Sequence, residues 1–147
     1  MDRVYANIAL VGMMGTGKST VARLVAADLG WTALDTDEAV VAETGMTIAE
    51  VFATHGEAAF REMERRAVGA SVAGEGAVIA TGGGAVLRDD NRRALRERCF
   101  IVWLQASPEE SCRRAGMGEA RPLLHSPDPE EAVRRLHAMG VKVAMLT

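Results

Sequence analysis

The stretch GMMGTGKST, residues 12–20, lies between an apolar run at 4–11 and a second segment whose apolar residues recur at helical spacing. It satisfies G-x-x-x-x-G-K-[ST] through Gly12, Gly17, Lys18 and Ser19. The spacing has a physical reason. Gly12, Gly15 and Gly17 let consecutive backbone N–H groups point into one concavity, and the positive end of the following helix strengthens the field there. Lys18 can reach β- and γ-phosphates, the Ser19 hydroxyl can ligate a Mg²⁺ that bridges them, and Thr16 and Thr20 belong to the same turn. A strand before this turn and a helix after it argue against a chance glycine-rich loop. The pattern fixes a nucleoside triphosphate and leaves the phosphoryl acceptor open.

Outward from that turn, short apolar runs alternate with helical patterns. The run at 4–11 reads as a buried strand, and 18–29 follows as a helix with Val21, Leu24, Val25 and Leu29 on one stripe and a stop at Gly30. Strands are predicted at 31–34, 77–81 and 100–104. Helices are predicted at 37–43, 48–54, 57–73, 90–98, 108–114 and 130–139, with Gly45 and Gly56 as breaks and a last apolar run at 141–146. Such alternation predicts a three-layer α/β/α fold whose mainly parallel central sheet has about five strands. No repeat, low-complexity tract or linker divides the 147 residues, so one domain, 1–147, is expected.

Composition narrows the partners. The chain is 48% hydrophobic and 25% charged, with a formal net charge of −3, and its Lys and Arg are scattered among Asp and Glu. That leaves no broad basic face for nucleic acid or anionic lipid and points to small-molecule partners. The N-terminal apolar run is too short to span a membrane and is interrupted by glycines. Cys99 and Cys112 have neither metal-ligand spacing nor a disulfide framework, so packed or idle thiols in a reducing cytoplasm are expected.

Residues further along bear on the acceptor. Asp35 and Asp37, in LDTDE, fall where the second strand meets the next helix, at the sheet edge that carries the phosphate loop in doubly wound folds. One carboxylate there could support Mg²⁺ while the other orients a substrate hydroxyl; equally, Asp37 could simply cap the helix. FREME, residues 60–64, puts Arg61 on a helix beside Phe60, with Phe52 eight residues before Phe60. Its guanidinium could capture a carboxylate or phosphate bidentately against an apolar wall, although for an isolated arginine a surface ion pair with Glu57 or Glu64 is the simpler account. VIATGGGAV, residues 78–86, adds Gly82, Gly83 and Gly84 after a buried strand. Three glycines there are costly unless the backbone turns tightly or approaches a ligand.

The ordered set of GMMGTGKST, LDTD, IAEVFATHGEAAFREMER, TGGGAV and RPLL at 121–124 resembles the shikimate kinases, small relatives of the nucleoside monophosphate kinases. The resemblance runs from residue 6 to about 124. It implies MgATP-dependent transfer of the γ-phosphoryl to the 3-hydroxyl of shikimate, by a monomer in the cytoplasm. It also implies roles: Asp35 supports Mg²⁺, Asp37 binds and orients the reacting hydroxyl, and Arg61 with the backbone at Gly82, Gly83 and Gly84 binds the shikimate carboxylate and hydroxyls. Phe52 and Phe60 line the pocket. Arg121 comes from a lid at about 116–127, hinged near Gly116 and Gly118, that closes over the phosphates and excludes water, and Arg114 is similar to the family's adenine-stacking arginine.

The resemblance ends with the lid. PDPEEAVRRLHAMGVKVAMLT lacks the tyrosine that follows an arginine in the family's next helix, neither Arg134 nor Arg135 matches the second substrate-binding arginine, and the family's final helix has no counterpart. RRLHAMGVKVAMLT has a weak similarity to a segment of haloacid dehalogenase-like and cation-pumping ATPase proteins, without their Thr-Gly-Asp. Two further readings therefore stand beside the active kinase: a nucleotide-binding protein with impaired acceptor chemistry, and another small-molecule kinase such as a gluconate kinase, which RPLL, TGGGAV and FREME fit less well.

Overall fold

The computed structural model describes residues 5–12 and 17–105 in full and the backbone of 142–146. Five strands form one sheet: β1 (Asn7–Val11), β2 (Thr32–Asp35), β3 (Ala77–Ala80), β4 (Cys99–Gln105) and β5 (Lys142–Leu146), in the order β2-β3-β1-β4-β5. β1 pairs in parallel with β3 and β4, and β2 in parallel with β3. This matches the mainly parallel sheet expected from the alternation. The last strand departs from it: β5 runs antiparallel to β4, with Gln105 opposite Lys142 and Ile101 opposite Leu146. An antiparallel strand at the edge of an otherwise parallel sheet is a common ending, and the apolar run that forms it carries no signal of direction.

Helices cover both faces for reasons visible in the strand sequences. The β1 residues Ile8 and Leu10, with Val78, Ala80, Val102 and Leu104, turn to one face and pack on Val21, Ala22, Val25 and Ala26 of α1 (Lys18–Leu29). The alternate residues Ala9, Val11, Ala77, Ile79 and Cys99 turn to the other. They meet Val68 and Val72 of α3 (Ile48–Val72) and Leu95 of α4 (Asp89–Arg98). Both faces of the parallel strands are thus apolar, as buried parallel strands require. With about 1.5–3 kcal/mol gained per fully buried aliphatic side chain, the strands form a stiff base for the loops at their C-terminal ends.

α2 (Thr36–Thr44) stops at Gly45, and α3 begins with a capping box in which Thr47 and Glu50 satisfy each other's backbone N–H groups. The expected break at Gly56 is present as a kink rather than a gap. Gly56 holds φ 84 and ψ 169, a region that side chains other than glycine's hardly enter, and the helix resumes beyond it. α2 and α3 share a third apolar cluster, Val40, Val51, Phe60 and Ala67, flanked by Met46, Ile48, Phe52 and Met63. Cys99 is 1% exposed, and burial pushes its thiol up to about 12, so it is a packed, unreactive thiol as expected. The expected helices at 108–114 and 130–139, the lid at 116–127 and Cys112 lie outside the described residues. Among the described residues no helix is long and apolar enough to cross a membrane.

Candidate active site

β1 delivers the chain to the phosphate-loop pattern, and α1 leaves it. Gly17, the residue before α1, adopts φ 89, and as a glycine it offers no side chain to occupy the first N–H groups of the helix. Those donors are what a phosphate would meet. Lys18 is 9% exposed, and its ammonium donates to the carbonyl of Gly12, so the lysine reaches back from the start of α1 to the residue that follows β1. Burial lowers its pKa, while the negative charges of Asp37 and Asp35 oppose that shift. Gly12, Gly17, Lys18, Ser19 and Thr20 are described; Gly15 and Thr16 are not.

The strand-to-helix junction after β2 divides its two aspartates differently from the simplest reading. It is Asp35, not Asp37, that caps α2: its Oδ1 accepts from the backbone N–H groups of Asp37 at 2.9 Å and Glu38 at 3.1 Å. Its other oxygen, Oδ2, accepts from the Ser19 hydroxyl. Asp37 lies inside the first turn, and its Oδ1 comes within 2.7 Å of where a Cβ on Gly82 would stand. Burial, followed by the negative charge of Asp35, raises the Asp37 carboxyl, and Lys18 and Arg61 pull it back. Two carboxylates separated by one residue thus face different tasks because the helix starts between them.

The glycine loop is stitched to both neighbours. The Thr81 hydroxyl donates to the Leu10 carbonyl at 2.9 Å, and the Gly82 N–H donates to the Thr36 hydroxyl at 2.9 Å. Gly82 itself is crowded by Asp37 Oδ1 and Glu64 Oε2, each 2.7 Å from an added Cβ, and Gly84 lies against the guanidinium of Arg61. These positions need glycine for close approach, as the cost of three consecutive glycines implied. Gly83 is exposed between them.

Arg61 is held by ion pairs to Glu64 at 3.0 Å and to Glu57 at 3.5 Å, and its Cζ sits 5.3 Å from the centroid of Phe60. Phe52 and Phe60 form an apolar wall beside it, with ring centroids 4.7 Å apart. The pair with Glu64 is not the surface contact that the helix alone suggests. Glu64 is 1% exposed, its carboxyl raised by burial and drawn down again by Arg61. Sequence reasoning missed it, although a signal existed: Phe60, Glu64 and Ala67 recur at spacings of four and three and so share the buried stripe. Thr36, 0% exposed, was also missed as the anchor of the glycine loop.

Lys18, Asp35, Asp37, Arg61 and the backbone at Gly82 to Gly84 therefore gather at the C-terminal end of β1, β2 and β3, where ligands bind in open α/β sheets. Arg114 and Arg121 lie outside the described residues. A family model described as shikimate kinase matches residues 14–140. A shikimate kinase of Symbiobacterium thermophilum is 52% identical over 90% of this chain and 77% of its own, and one of Moorella thermoacetica is 50% identical over 85% and 72%. Among solved structures, a shikimate kinase from Acinetobacter baumannii in complex with shikimate superposes with a TM-score of 0.73 at 38% identity, covering 92% of this chain and 76% of that one.

Proposed function

The chain belongs to the shikimate kinase family, and we propose that the gathered residues divide the transfer of the ATP γ-phosphoryl to the 3-hydroxyl of shikimate as follows. Lys18 and the N–H groups at the start of α1 hold the phosphates and neutralise charge on the transferring group. Asp37 accepts a hydrogen bond from the acceptor hydroxyl and aligns its oxygen for attack. A carboxyl raised by burial and by Asp35 is also better matched to receive that proton than an ordinary surface aspartate. Arg61 binds the acceptor's carboxylate, with the backbone at Gly82, Gly83 and Gly84 taking up its hydroxyls and Phe52 and Phe60 walling the ring.

Ser19 Oγ and the Asp35 carboxylate already touch, and two hard oxygen donors at the phosphate end of the site fit Mg²⁺. Ser19 would be the direct ligand and Asp35 the support. When bound, the ion would spread the negative charge of the bridging phosphates. Arg121 and Arg114 enter on their motifs alone, as a phosphate-covering and an adenine-stacking residue. The same resemblance supports a cytoplasmic monomer.

The observation that supports this reading is the meeting of Asp37, Glu64 and Arg61 on the glycine loop, which brings a cation and closely approached backbone to the sheet edge that carries Lys18. The test is ADP production by the purified chain with MgATP, with and without shikimate, alongside Lys18→Ala. Shikimate-dependent release that disappears in the variant supports the reading. ATP binding without any shikimate effect overturns it in favour of a phosphate cradle that has lost its acceptor chemistry.

A further inference from the structure

The Asp35 carboxylate is engaged on both sides. Oδ2 accepts a hydrogen bond from the Ser19 hydroxyl, and Oδ1 accepts from the backbone N–H groups of Asp37 and Glu38 at the start of α2. One rigid, planar group of three atoms thus links the residue that would hold the metal to the backbone of the residue that would orient the acceptor. We propose that Asp35 is a positioning residue that couples the two halves of the site, so that metal-nucleotide binding at Ser19 fixes the start of α2 and improves acceptor binding at Asp37.

The inference rests on the kinase reading above and goes beyond it in one respect: Asp35 matters to the acceptor, not only to the metal. The geometry separates its two tasks. The carboxylate plane is set by whatever Oδ2 touches, and Oδ1 moves with it, so a firmer partner on the loop side restricts the cap on the helix side. Thr36, between the two aspartates, is buried and receives the Gly82 N–H, so a shift at the start of α2 reaches the glycine loop as well. Coupling between sites requires such a contiguous element with a different environment in the two states, and by linkage it acts equally in both directions.

Titration calorimetry of shikimate binding tests this without turnover, in the nucleotide-free protein, with ADP and EDTA, and with MgADP. In the wild type MgADP should tighten shikimate about 5-fold, the lower end of ordinary coupling, and ADP with EDTA should do so less. Asp35→Asn keeps an amide oxygen for the cap but removes the second acceptor. It should retain nucleotide-free shikimate affinity within about twofold and lose the MgADP effect. Asp35→Ala removes the cap too and should weaken nucleotide-free binding about 5-fold. Ser19→Ala, with the cap intact, should behave as Asp35→Asn does, so the test survives if Asp35→Ala fails to fold. Undiminished coupling in both Asp35→Asn and Ser19→Ala, or no coupling in the wild type, overturns the proposal. Failure of the wild type to bind shikimate under any condition overturns the kinase reading itself.

Discussion

The guanidinium of Arg61 occupies the space that a side chain on Gly84 would need: an added Cβ would stand 2.6 Å from Nη2 and 2.7 Å from Cζ. Arg61 is the far end of a flexible side chain but is pinned by Glu64 and Glu57, so it would be displaced rather than absorbed. Gly84→Ala should leave the fold intact and raise the KM for shikimate about 10-fold or more, since misplacing a binding group by about 1 Å is costly. Steady-state kinetics with each substrate varied in turn checks this, and an unchanged shikimate KM would show that Arg61 does not serve the acceptor.

Lys18 and Arg61 should separate cleanly in kinetics. Lys18→Ala removes a buried cation aimed at the phosphate loop and should lower kcat about 10²–10³-fold. Arg61→Ala should raise the shikimate KM about 10- to 100-fold, the value of a charge-assisted hydrogen bond, while leaving the ATP KM within about twofold. Equal damage to ATP binding in both variants would contradict the roles given to them.

Asp37→Asn keeps the shape of the side chain proposed to orient the acceptor and removes its charge. With no base and no strong acceptor for the hydroxyl, kcat should fall about 10²–10⁴-fold while MgATP still binds. In the wild type, burial and the neighbouring Asp35 raise this carboxyl. The acid limb of kcat/KM should therefore lie above the usual carboxylate range, because the group must be ionised to work. A limb at ordinary aspartate pH would place the essential ionisation elsewhere.

Glu64 offers a stability prediction whose sign is fixed. Its folded pKa is raised above the ordinary 4.5, so the folded protein holds that proton more tightly than the unfolded chain does. The contribution of Glu64 to stability is complete below about 4.5 and declines as pH rises through the raised value. Glu64→Gln does not titrate, so its stability relative to wild type should increase across that window from low to neutral pH. Urea unfolding midpoints at several pH values measure this. The same variant loses a charged partner for Arg61, and its shikimate KM should rise about 5- to 10-fold.

Much of the site was legible because its signals are local. The phosphate-loop spacing located β1, α1, Lys18 and Ser19 together, and the glycine run after β3 required a close approach, which Asp37, Glu64 and Arg61 supply. What escaped depended on contacts between distant segments or on a one-residue choice. Glu64 reads as a solvated helix charge until the glycine loop folds over it and buries it. Which aspartate caps α2 turns on whether the helix begins at Thr36 or two residues later, at Glu38, a distinction finer than periodicity resolves. The direction of β5 depends on how the chain returns to the sheet, and an apolar run reads the same in either direction.

The third apolar cluster has a consequence for how this enzyme could change its acceptor. Val40, Val51, Phe60 and Ala67 pack with one another rather than with the residues that bury the sheet, and they carry Asp37, Phe52, Arg61 and Glu64 on the same two helices. The part of the chain proposed to choose the acceptor therefore brings its own interior with it. Changes to the apolar residues shared by α2 and α3 should therefore act first on the helices that carry these four side chains and leave the packing of α1 on the sheet in place. An ancestral scaffold of this kind could diversify its substrates by exchanging one insert while inheriting its phosphoryl donor unchanged.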